Sequence, residues 1–309
     1  MSSYHNKHCY NTEMTKEILY SIIIPHRNCP DLLNRCVNSI PERDNIQIIV
    51  VDDNSDENKR PSIDRKDVEV ILLNADLSRG AGHARNVGME KAVGKWLLFA
   101  DADDFYEEGF TLVLDKYKDT DCDVIYFNYK YVDSSTLIKL PSPKALKYIS
   151  IYDGSEDLTE RIKYKTNVPW GKMIRRDFVL SYNMQYEEIS KGNDTFFSYQ
   201  VAYYSKRIAI DKEVIYIYTR FIGSITNGRK SLDVYKQSFK NSFKCRSFFR
   251  FIDHPDYCNS LLRIFLGILK REGFCYWLQI IWMFISNYPE IVAEKDKYVN
   301  HFTQATKVK

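Results

Sequence analysis

Four short apolar runs limit what this chain can become. YSIIIP (20–25), IQIIVV (46–51), VEVILLN (68–74) and KWLLFA (95–100) are built mostly from branched and aromatic side chains. Runs of this length with little alternation belong to strands covered on both faces, the condition of a parallel sheet. Helical spacing fills the gaps between them. PDLLNRCVNSI (30–40) opens on Pro and Asp and sets Leu32, Leu33, Cys36, Val37 and Ile40 on one face. SRGAGHARNVGMEKAVG (78–94) reads as a glycine-rich start to a helix that Gly94 closes. This alternation, to about residue 130, predicts an α/β fold with a mainly parallel sheet. A 309-residue chain with 44 % hydrophobic residues can fill such a core, which excludes disordered and fibrous classes.

The second half is less regular. DVIYFNYKYV (123–132) predicts a strand, and 133–165 a polar connection with weak helical stretches. NVPWGKMIRRDFV (167–179) starts with a tight aromatic turn. GNDTFFSYQVAYYS (192–205) reads as a loop and then a helix, with Asn193 or Asp194 as N-cap. RIAID and VIYIYTR (207–220) predict two short strands, and 232–288 is helical, aromatic and basic. Seven cysteines without a C-x-x-C pair argue against a disulfide framework or zinc knuckle and for a reducing cytosol. The polar residues 1–17 lack the apolar core of a signal peptide. A net charge of +3 is too mild to argue for nucleic acid.

The carboxylates fall where ligands bind in open parallel sheets, beyond the carboxyl ends of the strands. The first strand ends in Pro25-His26-Arg27-Asn28, the second in Asp52-Asp53-Asn54-Ser55, the fourth in Asp101-Ala102-Asp103-Asp104. Five carboxylates on one rim repel unless a cation joins them, and oxygen ligands suit Mg²⁺ or Mn²⁺ bridging to a phosphate. Two plainer readings stand beside this. Asp104 caps the next helix, and Asp52-Asp53 forms an Asx turn.

In their order and spacing, YSIIIPHRN, IIVVDDNSD, GAGHARNVGMEKAVGKWLLFADADDF and KGNDTFF resemble the inverting, metal-dependent family 2 glycosyltransferases of the GT-A fold. The likeness is strong over 20–130 and weaker over 165–226. It implies a GT-A, Rossmann-like α/β domain over 18–228, with a nucleotide-binding half (18–130) and an acceptor-binding half (131–228). A helical C-terminal extension follows over 229–309. The resemblance assigns Pro25, Arg27 and Asp53 to the nucleobase, and Gly80 and Arg85 to the base and diphosphate. Asp101 goes to the ribose and Asp103 to the metal, Mn²⁺ or Mg²⁺, with Asp104 as a further candidate ligand. Trp170 and Lys172 match a W-x-K turn lining the sugar pocket. Asp194 matches the acid of a G-E-D motif, which resembles the catalytic base. VIYIYTRFIGSIT resembles the Y-x-Y-R-x-R-x-G-S-I-T stretch of bacterial polysaccharide members. Three positions depart from the pattern: His26 for Tyr or a small residue, Ser78 for Asn, and Asn193 for Glu.

The implied activity is transfer of a hexosyl-type sugar from a nucleotide-diphosphate donor, UDP-linked, to a saccharide or lipid-linked acceptor in bacterial surface polysaccharide synthesis. A carboxylate takes the proton of the attacking hydroxyl, and the metal stabilises the departing diphosphate. On sequence alone a helix N-cap is a strong rival role for Asp194. A non-catalytic nucleotide-sugar-binding module is the first alternative, since residues that bind need not react. An NAD-dependent oxidoreductase is the second. GAGHARNVG supplies glycines at 80, 82 and 88, but Arg85 occupies the third fingerprint position and the segment follows the third strand. A D-x-D phosphatase wants Thr or Val where Phe105 stands, and a nucleotidyltransferase wants a G-x-G-T-R loop where PHRNC stands. His5, His8 and Cys9 lack a fourth metal ligand, and His83 and His254 offer only surface or packing roles.

In the extension, SFKNSFKCRSFFRFID (238–253) interleaves aromatics with Lys240, Lys244, Arg246 and Arg250. The charge-free run from Gly273 to Pro289 falls short of the ~20 apolar residues of a membrane span. Two readings stand. These helices pack on the catalytic domain or on a second subunit of a homodimer, or they lay a basic aromatic face on the membrane. The expected place is the cytoplasm, with peripheral contact to the inner face of the membrane.

Overall fold

The structure, a computed structural model, describes residues 17–141, 147–220, 230–258 and 260–307. The His5, His8 and Cys9 cluster and the FIGSIT part of the polysaccharide-type stretch lie outside them. One eight-stranded sheet organises the described residues up to 220. Its strands are β1 (Tyr20–His26), β2 (Ile46–Asp53), β3 (Val68–Leu73), β4 (Trp96–Phe99), β5 (Phe105–Tyr106), β6 (Val124–Asp133), β7 (Lys172–Arg175) and β8 (Ile208–Arg220). They lie in the order β3-β2-β1-β4-β7-β6-β8-β5.

The four apolar runs form one parallel block, with β1 between β2 and β4, and β3 beyond β2. The sheet then turns mixed. β7 lies antiparallel to both β4 and β6, and β6 pairs parallel with β8. The segment expected to give two short strands, 207–220, is the single strand β8. The ladder slips around Phe127, Asn128 and Tyr129 of β6 instead of breaking.

Side chains alternate across β1 and β2 and build a core on each face. Ile22, Ile24, Ile48 and Val50 pack with Leu33, Cys36 and Val37 of α1 (Pro30–Asn38). Ile23, Ile49 and Val51 meet Ala84 of α2 (Ala81–Lys91) and Phe197 and Val201 of α6 (Asn193–Tyr204). Burying one such aliphatic side chain stabilises by about 1.5–3 kcal/mol. Gly94 is not the C-cap of α2, which ends at Ala92. It stands where the chain crosses the start of β1; a Cβ there would lie 2.7 Å from the Ser21 nitrogen. Shorter helices complete this part: α3 (Phe110–Asp115), α4 (Glu156–Lys165) and α5 (Arg176–Ser181).

The later helices are α7 (Leu232–Phe251), α8 (Leu261–Glu272), α9 (Phe274–Ser286), α10 (Tyr288–Ala293) and α11 (Lys297–Lys307). Ser231 caps α7 and Ser260 caps α8, their hydroxyls accepting from Val234 and Arg263 N–H groups. Tyr235, Phe239, Ile268, Ile280, Met283 and Ile291 form a small core of their own. Farther along α7, Phe248 and Phe249 join Tyr298 and Phe302 of α11 against Tyr199 of α6. The extension therefore packs on the sheet domain through α6.

Candidate active site

Two loops meet above the ends of β1 and β2. His26 is buried, and its Nδ1 lies 2.7 Å from Asp52 Oδ1. Its Nε2 accepts from the Cys29 N–H at 3.2 Å, so Nδ1 carries the proton that Asp52 receives. Ser55 N–H and hydroxyl both donate to Asp52, and Asn28 N–H donates to Ser55 Oγ. Asn28 and Asn54 adopt positive φ of 58° and 56°, a conformation Asn tolerates. Asp52 is thus spent on fixing these loops and leaves the acidic rim. His26, marked above only as a departure, is the pin of the first loop.

Asp53, one residue on, is nearly as buried. Its Oδ2 accepts from the Gly80 N–H at 3.1 Å, with Arg27 Nη1 at 3.8 Å. Its Oδ1 is buried and has no partner among the described residues. A buried carboxylate oxygen without a donor is costly, and a ligand N–H would satisfy it. Gly80 has φ +88°, which strains any other residue and aims its N–H at Asp53. Pro25 is buried within β1 beside Val51, and Arg27 is largely exposed above Asp53.

A second group converges across the rim. Arg85 projects from α2 and is buried. Its Nη2 donates to Asp101 Oδ1 at 2.5 Å and its Nη1 to Asn193 Oδ1 at 3.0 Å. The ring of Tyr186 lies 5.3 Å beneath the guanidinium. Asp194 neighbours this group. Burial raises its carboxyl above the usual range, Asp101 adds to this, and Arg85 and Lys172 oppose it. Lys172 is buried at the start of β7 and donates to the carbonyls of Thr166 (2.8 Å) and Val168 (2.5 Å). Burial pushes its ammonium down to about 7, with Asp194 pulling the other way. The expected cap role fails: Gly192, at φ +72°, caps α6, and no side chain closes that helix end. Asp194 sits in the first turn of α6, where its charge favours the helix, and is not spent on the cap.

The D-x-D-D segment splits. Asp101 is about one-third exposed and faces Arg85. Asp103 is half-buried, and burial with Asp101 beside it raises its carboxyl to about 6. Asp104 points inward, 1 % exposed. Its Oδ1 accepts from Thr219 N–H at 2.7 Å and its Oδ2 from the Tyr216 hydroxyl at 2.9 Å. It ties β8 to the rim. It neither caps α3, whose N-cap is Gly109, nor turns an oxygen outward to a metal. Trp170 is likewise interior, 3 % exposed and stacked on Tyr216 at 4.9 Å. It supports the wall behind Asp101 and does not offer a face to a sugar.

The loop 186–193 that leads to Asp194 is held on two sides. Asn86 of α2 exchanges hydrogen bonds with the Tyr186 backbone at 3.0 and 2.9 Å. A Cβ on Gly82 would sit 2.1 Å from the Glu187 carbonyl oxygen. From the other side, Glu187 accepts from Lys244 of α7 (3.0 Å) and from Lys297 (3.0 Å) and Tyr298 (2.6 Å) of α11. Asn241 of α7 donates to the Lys191 carbonyl at 3.0 Å. Glu188 pairs with Arg79 and, at 2.8 Å, with His83, which therefore has a partner on this loop. His254 stacks on Tyr257, a packing role.

Known proteins resolve what this geometry belongs to. The profile of "Glycosyl transferase family 2" matches residues 21–182, just over half of the chain. The chain is a family 2 glycosyltransferase. It is 32 % identical over 123 residues to "Glycosyltransferase GlyG" of Streptococcus pneumoniae, covering 38 % of this chain and 41 % of that one. It is 29 % identical over 137 residues to an Escherichia coli protein named "UDP-Glc:alpha-D-GlcNAc-diphosphoundecaprenol beta-1,3-glucosyltransferase WfaP", covering 42 % and 54 %. The glycosyltransferase thus spans about half the length of these relatives. Its fold matches S. aureus TarS 1-349 in complex with UDP-GlcNAc at a TM-score of 0.55, with 18 % identity, over 92 % of this chain and 79 % of that one. The mixed eight-stranded sheet is therefore the GT-A arrangement, with helices added after it.

Metal binding can be tested on the donor set of this glycosyltransferase. No group of three or more His, Cys, Asp or Glu able to hold an ion occurs among the described residues. Mg²⁺ and Mn²⁺ in phosphate-transfer sites are held by one or two carboxylates with substrate phosphates completing the shell. Asp103 with Asp101 beside it fits that pattern, and their mutual repulsion is what a cation would relieve. Sequence reading missed Tyr186, the Glu187 clamp and the role of Asn193. Glu187 stands among loop acids with nothing local to mark it, because its partners are more than 50 residues away.

Proposed function

We propose that this glycosyltransferase moves a hexosyl-type sugar, with inversion, from a UDP-linked donor to a saccharide or lipid-linked acceptor in bacterial surface polysaccharide synthesis. The observation that carries this reading is Asp194. It is a carboxylate in the first turn of α6 that is not spent on the helix cap, on a segment separate from the donor-side acids, beside Arg85 and Lys172. The orphaned Asp53 oxygen above Gly80 suits the N–H of a uracil ring. WfaP is named for a UDP-glucose donor and a diphosphoundecaprenol-linked acceptor, and TarS has been seen with UDP-GlcNAc; both support the assignment.

In the proposed reaction Asp194 accepts the proton of the acceptor hydroxyl. That oxygen then bonds to the anomeric carbon on the face opposite the diphosphate. The old glycosidic C–O bond breaks and its electron pair leaves with the nucleoside diphosphate. Arg85 holds Asp101 still, so that carboxylate stays available to the ribose. Bound at Asp103, Mn²⁺ or Mg²⁺ would supply charge stabilisation to the leaving diphosphate. The enzyme works in the cytoplasm against the inner face of the membrane. No helix among the described residues is long and apolar enough to cross a bilayer. α8 and α9 do expose Leu262, Leu266, Phe274, Leu278, Trp282 and Ile285 beside Arg263 and Lys270. Exposed apolar side chains flanked by cations suit an anionic lipid surface, so membrane contact is the reading adopted.

Asp194→Asn tests the proposal. Asn keeps the shape and Gly192 keeps the cap, so folding and UDP affinity should hold. Transfer to the acceptor should fall about 10²–10⁴-fold. Near wild-type turnover would remove Asp194 from the chemistry.

A further inference from the structure

Two arginines reach the acidic turn 101–104 from opposite faces of the sheet. Arg85, on the α2 side, holds the Asp101 carboxylate. Arg35 comes from α1, which packs on the other face. Leu33, Cys36 and Val37 of α1 fill the core, and Arg35 falls off that face, where its side chain extends to the turn. Its Nη2 donates to the Asp103 carbonyl at 2.6 Å and its Nη1 to the Ser134 carbonyl at 3.0 Å. Nη2 also reaches Ser134 Oγ at 3.3 Å. The guanidinium lies 4.9 Å from the centre of the Phe105 ring. Ser134 directly follows β6, and its N–H donates to the Arg220 carbonyl at the end of β8. One guanidinium therefore joins α1, the acidic turn and the end of β6.

The rest of the turn is tied as well. The Asp101 N–H donates to the Tyr216 hydroxyl oxygen at 2.9 Å, and the Asp104 N–H to the Asp101 carbonyl at 3.0 Å. The Thr219 hydroxyl is the second donor to the Asp103 carbonyl, at 2.7 Å. Asp104 spends both oxygens on β8. The Asp103 carboxylate differs: no donor from another described residue holds it, so its position depends on the backbone that carries it. We propose that Arg35 is a positioning residue for the metal. By fixing the Asp103 carbonyl it sets where the Asp103 carboxylate stands, and so how tightly a divalent cation is held with the donor diphosphate. This inference rests on the reading of Asp103 as the metal ligand. A guanidinium suits the task because its planar fork spans two carbonyls with charge-assisted bonds, whereas an ammonium is a point donor. Burial and then Asp101 push the Asp103 carboxyl up to about 6, while its own backbone N–H and then Arg35 oppose this. Arg35 thus also favours the ionised form that a cation binds.

The test uses the full chain, UDP and Mn²⁺, with bound ion read from the loss of the free Mn²⁺ signal in electron paramagnetic resonance. Arg35→Met removes the guanidinium and keeps the stem. With UDP present its Mn²⁺ affinity should fall about tenfold or more, the scale of a lost hydrogen bond from a charged donor. UDP affinity in excess chelator should hold, since Asp53 and Gly80 lie elsewhere on the rim. Arg35→Lys reaches one carbonyl and should fall between the two. In a transfer assay, saturating Mn²⁺ should restore much of the Arg35→Met rate, which it would not do for a generally loosened fold. Equal Mn²⁺ affinity in wild type and Arg35→Met overturns the proposal. So does a matching loss of UDP affinity in chelator, which makes Arg35 a support of the whole domain. If Arg35→Met does not fold, Arg35→Lys decides, and wild-type Mn²⁺ affinity there overturns the proposal. Asp103→Ala separates the two levels. If it keeps wild-type Mn²⁺ affinity, the metal reading fails and this proposal with it. If it loses the ion while Arg35→Met keeps it, this proposal alone falls.

Discussion

Replacing Lys244 by Met removes one charge from the Glu187 clamp and keeps most of the side-chain volume. Lys244 and Glu187 are both nearly excluded from solvent, with side-chain exposures of 3 % and 6 %. Breaking a buried ion pair from one side costs about 3–5 kcal/mol, because the partner is left charged and dry. Here Glu187 keeps the Tyr298 hydroxyl at 2.6 Å and Lys297 at 3.0 Å, although Lys297 is half-exposed and counts for less. About half the penalty remains, near 2 kcal/mol. For a chain of this size that is a drop of roughly 3 °C in Tm. Pairing Lys244→Met with Glu187→Gln removes the stranded charge, so the double variant should be less destabilised than the sum of the singles. Burial alone would raise the Glu187 carboxyl, but Tyr298, Lys244 and Lys297 together hold it below its usual value. Its stabilisation is therefore present above the ordinary glutamate range and is lost as pH falls through the lowered value. The gap between wild type and Lys244→Met should close in acid. Circular-dichroism melts of the four proteins measure the coupling, and UDP titration with a transfer assay measures the functional side. Transfer should fall in Lys244→Met while UDP affinity holds. Strict additivity of the melts, or full transfer by a destabilised Lys244→Met, refutes the clamp.

Other outcomes follow from the site. Asp53→Ala should weaken UDP more than it weakens free pyrophosphate, by calorimetry; equal weakening makes Asp53 a support for Gly80 alone. Asp103→Ala should abolish the gain in UDP affinity that Mn²⁺ confers, and unchanged affinity in excess chelator counts against a metal there. Trp282→Ser with Leu278→Ser should reduce sedimentation with anionic vesicles and leave the melt unchanged, since both side chains are already exposed; undiminished sedimentation assigns the face elsewhere.

How much of this was legible in the sequence depended on range. The parallel block was, because Ile22 to Ile24 and Ile48 to Val51 each report burial through their own neighbours. The antiparallel β7 was not: Lys172–Arg175 is a short run whose direction is set by where β4 and β6 lie. Asp53, Arg85, Asp101 and Asp194 were named from motif order, and the structure brings Arg85, Asp101 and Asp194 together. Asp104 and Trp170 look like site residues in one dimension. They turn inward because Tyr216 and Thr219, contributed by β8, offer partners that no local pattern displays.

The clamp also fixes an order of events during synthesis. The segments that carry Asp53, Gly80, Arg85 and Asp101 are complete long before residue 298 leaves the ribosome. Until then Glu187 lacks Lys297 and Tyr298, and the segment bearing Asp194 lacks its outer anchor. A nascent chain can therefore shape the rim of Asp53, Arg85 and Asp101 first and seat the Asp194 segment last. On the proposed chemistry the acceptor side is the last part of the site to be anchored, because Lys297 and Tyr298 come from the last helix of the described chain.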